Sequence, residues 1–306
     1  MKKISIIVPC FNEEETIELF YNAVKDMWKE KMTSYEAEFV FIDDGSKDRT
    51  HELLKQLAAK DEEVRFTSFS RNFGKEAAIF CGLKQATGDA AVVLDADLQH
   101  PVATIADMAA KWEEGYKVVE GFKKNRGKEK RAHGFFAGIF YGMISKMIGF
   151  DMKNSSDFKL IDRQVIDVLN GMTEKDTFFR AMSFWVGFKT TTVEYEVAER
   201  AGGSTKWSTF SLFKYAVKNL TSFTYTPLYL IGILGAVVFV IGLALGIDAI
   251  VTYFMQSTVG GYPTLVVLIA LSTGAIMLSL GIISVYIAKM FDELKDRPRF
   301  IVQDKK

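Results

Sequence analysis

Ile4-Ser5-Ile6-Ile7-Val8-Pro9-Cys10-Phe11-Asn12-Glu13-Glu14-Glu15-Thr16 is an apolar run that stops on three consecutive carboxylates. Behind Met1-Lys2-Lys3 it has the outline of a signal peptide, but the apolar run ends at Phe11 and no cleavage site follows, so it reads as a β-strand. The same grammar then repeats downstream. Short β-rich apolar runs at 39–42, 65–69, 91–94 and 117–120 alternate with stretches of helical length and spacing at 16–31, 50–60, 75–86 and 102–114. This alternation predicts an α/β domain with a mostly parallel, Rossmann-like sheet covered on both faces, and ligands gather beyond the carboxyl ends of such strands. Chemistry is therefore expected in the loops that follow the strands.

The 306 residues include 38 Lys+Arg and 38 Asp+Glu, with a pI near 6.9 and 49% hydrophobic residues. That balance excludes disordered, collagenous and disulfide-built chains, and it lacks the basic footprint of a nucleic-acid binder. Cys10 and Cys81 have no CxxC spacing and read as small buried hydrophobes in a reducing compartment.

The charges are unevenly spread, since Asp248 is the only charged residue between Asn219 and Ala288. Two segments there, 227–254 and 263–288, exceed the roughly 20 apolar residues that cross a bilayer, and a charge-free turn joins them. A C-terminal two-helix transmembrane hairpin is expected. Lys206, Lys214 and Lys218 precede it, and Lys289, Lys295, Arg297, Arg299, Lys305 and Lys306 follow it. By the positive-inside rule both termini are cytoplasmic in a multi-pass cell-membrane protein. Asp248 is expected at the outer interface or facing a partner helix. Gly242 and Gly246 form a small-xxx-small pair suited to helix packing, and with it to homo-oligomers through the spans. The expected organisation is a catalytic domain at 1–207, a juxtamembrane amphipathic helix at 208–225, the hairpin at 226–289 and a basic tail at 290–306. Within the first domain, the apolar segment 132–150 is too short to span and either lies in the membrane interface or packs in the core.

Four constellations carry the chemistry. Pro9-Cys10-Phe11-Asn12-Glu13 offers an aromatic and a carboxylate that suit a base and a ribose hydroxyl, although an acidic helix N-terminus explains the charges equally well. Asp43-Asp44-Gly45-Ser46 either binds ligand or turns the chain and caps the next helix. Asp95-Ala96-Asp97-Leu98-Gln99-His100 offers hard oxygen ligands to Mg²⁺ or Mn²⁺, with substrate phosphates completing the shell, and His100 reads as a turn residue. With three histidines and unpaired cysteines, zinc is disfavoured. Arg200-Ala201-Gly202-Gly203-Ser204-Thr205-Lys206 is a basic loop suited to a pyrophosphate or a lipid phosphate.

Together with Ser70-Arg71-Asn72-Phe73-Gly74-Lys75-Glu76 and Asp157-Phe158-Lys159-Leu160-Ile161-Asp162-Arg163, these motifs resemble, in order, the family-two inverting glycosyltransferases of the GT-A fold. The resemblance is strongest to the polyprenyl-phosphate branch, which includes dolichyl-phosphate mannose synthase and bactoprenol glucosyltransferases. It implies transfer of one sugar, with inversion, from a nucleotide-sugar (UDP-glucose or UDP-N-acetylglucosamine) to undecaprenyl or another polyprenyl phosphate. It also implies that Pro9, Phe11, Glu13, Asp44 and Asp95 hold the donor, that Asp95, Asp97 and Gln99 hold the cation, and that Lys123 and Arg126 meet the acceptor phosphate; Arg200 is a further candidate for that phosphate from its basic loop, and Arg131 and Lys206 are second-rank candidates, the alternative being that they touch only lipid head groups. Lys123 stands where the branch has an arginine, which keeps the charge and loses the bidentate fork. Asp157 is the candidate base, either orienting the acceptor or receiving a residual proton; the alternative is that it pairs with Lys159 or a nearby arginine. A processive polysaccharide synthase of the same fold would need a Gln-x-x-Arg-Trp motif, which is absent. A non-catalytic membrane scaffold would have shed carboxylates that are all present here. Without Gly-x-Gly-x-x-Gly after the first strand, dinucleotide chemistry is also disfavoured.

Overall fold

The computed structural model describes residues 1–124, 156–175, 177–196, 226–255 and 262–306. Two compact units make up the chain: Met1–Trp207 together with Pro298–Lys306, and Ser208–Arg297.

The first unit is built on an eight-stranded sheet. Its strands are β1 (Lys2–Cys10), β2 (Tyr35–Asp43), β3 (Val64–Phe69), β4 (Ala90–Val93), β5 (Val118–Lys123), β6 (Lys159–Asp162), β7 (Thr190–Tyr195) and β8 (Val302–Lys305), in the order β7-β5-β6-β4-β1-β2-β3-β8. The block β4-β1-β2-β3 is parallel, and β7 runs parallel to β5. β6 inserts antiparallel between β4 and β5, and β8 adds antiparallel to the edge of β3. The helices are α1 (Ile17–Lys31), α2 (Thr50–Lys60), α3 (Lys75–Gln85), α4 (Thr104–Glu113), α5 (Arg163–Gly171) and α6 (Phe179–Trp185).

Alternation along β1 explains why both faces of the sheet are covered. Ile4, Ile6 and Val8 enter a core with Phe20 and Val24 of α1, Phe39 and Phe41 of β2, and Ile105 and Met108 of α4. The opposite face carries Ile7, against which α3 lies so closely that a Cβ at Gly82 would come within 2.2 Å of the Ile7 side chain. The α1 stripe Ile17, Phe20, Val24, Met27 and Trp28 has the helical spacing that buries one face.

The second unit contains α7 (Thr226–Phe254) and α8 (Tyr262–Leu294), both long and apolar enough to cross a membrane and with none of their apolar windows buried. α8 runs past the expected end at 288. Among the described residues, a Cβ at Gly242 or Gly246 would meet nothing within 4 Å. The segments 132–150 and 208–225 and the turn between the spans lie outside the described residues, apart from Tyr262.

Of the segment 290–306 expected as a basic tail, the residues to Leu294 continue α8. Pro298–Lys306 belongs to the first unit, because Val302-Gln303-Asp304-Lys305 satisfies the open backbone edge of β3.

Candidate active site

The loops after β1 and β2 are locked together. The backbone N–H of Asn12 donates to Ser46 Oγ at 2.9 Å, that of Lys47 to Asn12 Oδ1 at 2.9 Å, and that of Glu13 to Thr50 Oγ1 at 2.8 Å. Asp48 accepts from the Glu14 and Thr50 N–H groups. Asn12 holds φ +56°, a left-handed turn that its short polar side chain tolerates. These residues tie two strand ends to each other rather than capping α1, whose first turn has no side-chain cap. Phe11 is 43% exposed beyond β1, available for stacking. Asp43 is buried and accepts from Ser46 N–H and from Ser68 Oγ at 2.6 Å.

Asp44 is buried and reaches across to the loop after β3. It accepts from the Phe73 N–H at 2.6 Å and the Gly74 N–H at 2.9 Å. Burial raises its pKa, against those two bonds. Gly45 has φ +68°, and a Cβ there would lie 2.4 Å from the Arg71 backbone, so this close approach of two loops requires glycine.

Asp95 and Asp97 leave the end of β4, and the positive φ of Leu98, +57°, turns the backbone so that the Gln99 N–H donates to Asp97 Oδ1 at 3.0 Å. Burial raises the pKa of Glu13, and the fields of Asp97, Asp95 and Asp48 add to it against the Thr16 hydroxyl bond. Glu13 and the pair Asp95 and Asp97 stand in the loops that follow β1 and β4, two neighbouring parallel strands. Among the described residues no cluster of three or more His, Cys, Asp or Glu forms a closed metal site. Two carboxylates suffice for a hard cation that draws the rest of its shell from phosphate and water, and the donor chemistry of Asp95 and Asp97 fits that case.

Lys75, the first residue of α3, is the hub of the site. Its Nζ lies 2.7 Å from Asp95 Oδ1 and 2.9 Å from Asp157 Oδ2. Desolvation opposes the charge only in part, since the side chain is 40% exposed, and the two carboxylates hold the ammonium charged well above the ordinary lysine range. Asp157 is buried, and Arg180 of α6 grips it with two donors, Nε at 2.7 Å and Nη2 at 3.0 Å. Burial would raise its pKa, but Lys75 and Arg180 hold it far below the carboxylate range. As placed, Asp157 is a poor proton acceptor, and its partners are Lys75 and Arg180; Lys159 instead donates to Ser183 Oγ and lies 3.5 Å from Glu120. Glu76 accepts from the Phe179 N–H at 2.8 Å, and burial with the charge of Asp157 pushes it up to about 7. His100 is buried between Phe158 and Tyr195, with Nε2 4.0 Å from Asp95, so it is part of the wall rather than a simple turn residue.

The structure thus brings Glu13, Asp44, Asp95, Asp97, Gln99 and Asp157 to the ends of the central strands. Pro9 lies in β1 one residue before its end, and Lys123 is exposed at the end of β5. Arg126, Arg131, Arg200 and Lys206 lie outside the described residues. The sequence reading assigned no role to Lys75, Glu76 or Arg180. Lys75 and Glu76 close the motif Ser70-Arg71-Asn72-Phe73-Gly74-Lys75-Glu76, whereas nothing local marks Arg180, 23 positions from Asp157. Asp162 and Arg163 turn out to be structural: Asp162 caps α5 and accepts from Trp112 Nε1, and Arg163 binds the Ala86 and Gly88 carbonyls.

The profile of Glycosyl transferase family 2 matches residues 5–167. The prophage bactoprenol glucosyl transferase homolog of Escherichia coli (strain K12) is 39% identical over 306 residues, covering 98% of this chain and 98% of that protein. The bactoprenol glucosyl transferase of Shigella phage SfV is 37% identical, covering 99% of each. The uncharacterized glycosyltransferase YkcC of Bacillus subtilis (strain 168) is 39% identical, covering 98% of this chain and 93% of that protein. Among solved structures, mannosyl-3-phosphoglycerate synthase from Rubrobacter xylanophilus superposes with a TM-score of 0.50 at 14% identity, covering 72% of this chain and 73% of that one, a likeness of fold.

Proposed function

The chain belongs to glycosyl transferase family 2, and from that membership we propose that it moves a single sugar from a nucleotide-sugar to a polyprenyl phosphate at the cytoplasmic face of the membrane. UDP-glucose or UDP-N-acetylglucosamine is the proposed donor and undecaprenyl phosphate the acceptor. The anomeric centre inverts, and the nucleoside diphosphate leaves. The observation that carries the reading is that one chain places Glu13, Asp44, Asp95 and Asp97 in the loops after three adjacent parallel strands, β1, β2 and β4, and also has two helices apolar enough to span a bilayer. Relatives named bactoprenol glucosyl transferase over nearly the whole length support the acceptor class.

In this mechanism Phe11 stacks on the base, Glu13 and Asp44 hold the nucleoside, and Asp95 meets the donor. Asp95, Asp97 and Gln99 would hold Mg²⁺ or Mn²⁺, whose chemistry is to neutralise charge growing on the diphosphate. The second pKa of a phosphate monoester is about 6, so at pH 7 the acceptor is already mostly dianionic and attacks without a strong base. Asp157 therefore works by position: it fixes Arg180 and Lys75, and Lys75 is the cation next to the donor carboxylate Asp95. Lys123, Arg126, Arg131, Arg200 and Lys206 are the proposed acceptor-phosphate contacts. Both termini face the cytoplasm, following the lysine and arginine bias around the spans; a cysteine placed at Thr258 should be labelled from outside intact cells, and labelling at Lys306 instead overturns that topology.

Purified protein incubated with undecaprenyl phosphate and a panel of nucleotide-sugars tests the whole reading. A sugar phospholipid of inverted configuration is expected from one donor; no lipid product with any donor, or a retained anomer, refutes it.

A further inference from the structure

We propose that Arg299–Asp304, reached only after both apolar helices, is a positioning strap for the donor site, acting through the loop Ser70–Gly74. This rests on the glycosyltransferase reading for the word donor, but the geometry stands by itself. The Ser70 N–H donates to the Ile301 carbonyl at 3.0 Å. Phe300 stacks on Phe69, centroids 4.9 Å apart at 12°, and Phe69 in turn meets the edge of Phe73 at 5.8 Å. Arg299 donates to the Met172 carbonyl at 2.6 Å and covers Phe80 of α3 at 5.3 Å. At the far end Asp304 pairs with Lys55 at 2.6 Å and lies 3.4 Å from His51 Nε2, while His51 Nδ1 is 3.7 Å from the buried Asp43.

The loop is consequently clamped from two sides. On one side Asp44 takes the Phe73 and Gly74 N–H groups, and Gly45 lets the Arg71 backbone come close. On the other side stand Phe300 and Ile301. The next residue is Lys75, which holds Asp95 and Asp157. The same strap thus bears on both ends of the site, on Asp44 through Phe73 and on Asp95 through the start of α3. A free loop of Ser, Arg, Asn and Gly would not keep two N–H groups aimed at one carboxylate, because each ordered residue loses conformational freedom that some contact has to offset. The strap residues Phe300 and Ile301 supply that contact without touching substrate, which makes them positioning residues.

Full-length Phe300→Ala, Phe300→Tyr and, as a core control in α1, Met27→Ala test the proposal. Amide exchange is followed at Phe73 and Gly74, and binding of UDP and GDP is measured by calorimetry. In Phe300→Ala, exchange at both amides should quicken about tenfold while β1 amides keep their protection, and nucleotide affinity should fall about three- to tenfold. Phe300→Tyr should behave as wild type, and Met27→Ala should lower the melting temperature without moving either readout. Where Phe300→Ala does not fold, Phe300→Leu carries the same expectation at about threefold. Unchanged exchange at Phe73 and Gly74, or equal loosening in Met27→Ala, overturns the strap. A wild type that binds neither nucleotide refutes the donor reading, and amide exchange still decides the strap.

Discussion

The two halves of the sheet solve the same problem differently. From β1 to β4, the candidate carboxylates sit in the loops after their own strands; Asp44 is held by the Phe73 and Gly74 N–H groups of a neighbouring loop and Asp97 by the Gln99 N–H of its own, while Asp95 meets the Lys75 side chain. From β5 to β7, the functional carboxylate Asp157 is held by side chains from two distant helices, Lys75 and Arg180. The first half relies mainly on backbone donors and turns, and the second on charges paired around the buried Asp157, with Lys75 shared between them. Backbone arrays tolerate loss of one charge in the fold but not in the chemistry, whereas buried ion networks couple both.

The largest effect is expected on the backbone-held side. Asp97→Asn should lower transfer by about 10²–10³-fold, because a charge on the leaving diphosphate goes uncompensated, with an unchanged melting temperature. EDTA should reproduce the loss reversibly. Metal-free enzyme turning over at the normal rate would break the assignment of Asp97.

On the network side, Asp157→Asn should cost about 10²-fold in turnover, the scale of a misplaced positioning group. Lys75 and Arg180 keep the Asp157 carboxylate ionised across all working pH values, because its pKa is depressed. The ratio of mutant to wild-type rate should then be the same at pH 6 and pH 8. A loss that is large at pH 6 and small at pH 8 would restore Asp157 as a titrating base.

A smaller effect separates acceptor from donor. Arg126→Ala and Arg200→Ala should each raise the KM for the lipid phosphate about tenfold, the worth of one charge-assisted contact, and leave the donor KM unchanged. Unaltered acceptor kinetics in both variants would move the phosphate site elsewhere.

The same contrast governs what could be read from the sequence. Strands and helices from β1 to α4 were legible to within a few residues because local alternation and length decide them, and the strand-end motifs followed from the parallel topology. β6 was visible only as a motif, since its pairing with β4 and β5 is antiparallel and nonlocal. Lys159 at its start is a buried charge, which a hydrophobic pattern would never choose; Glu120 and Ser183 accommodate it. Val302–Lys305 read as a basic tail because an edge strand of alternating polar residues owes its shape to the β3 edge it meets. Arg180 was illegible for a similar reason, its role being set by α6 packing beside Asp157.

The smallest expected effect probes the network through stability alone. Glu76 titrates near 7 in the folded protein, through burial and the nearby charge of Asp157, against an ordinary value of 4.5. Between those two values the folded state binds more protons than the unfolded state, so this residue makes stability fall as pH rises from about 5 to 7.5. Full stability is present below the unfolded value and is lost through the folded one. Glu76→Gln keeps an acceptor for the Phe179 N–H, the bond that starts α6, but carries no titrating group. The variant should match wild type near pH 5 and become more stable than it by about 1–3 kcal/mol at pH 8. Thermal unfolding of both proteins across that range measures the difference directly. A constant offset at every pH would mean that Glu76 is charged throughout, and that Lys75 and Arg180 neutralise Glu76 as well as Asp157.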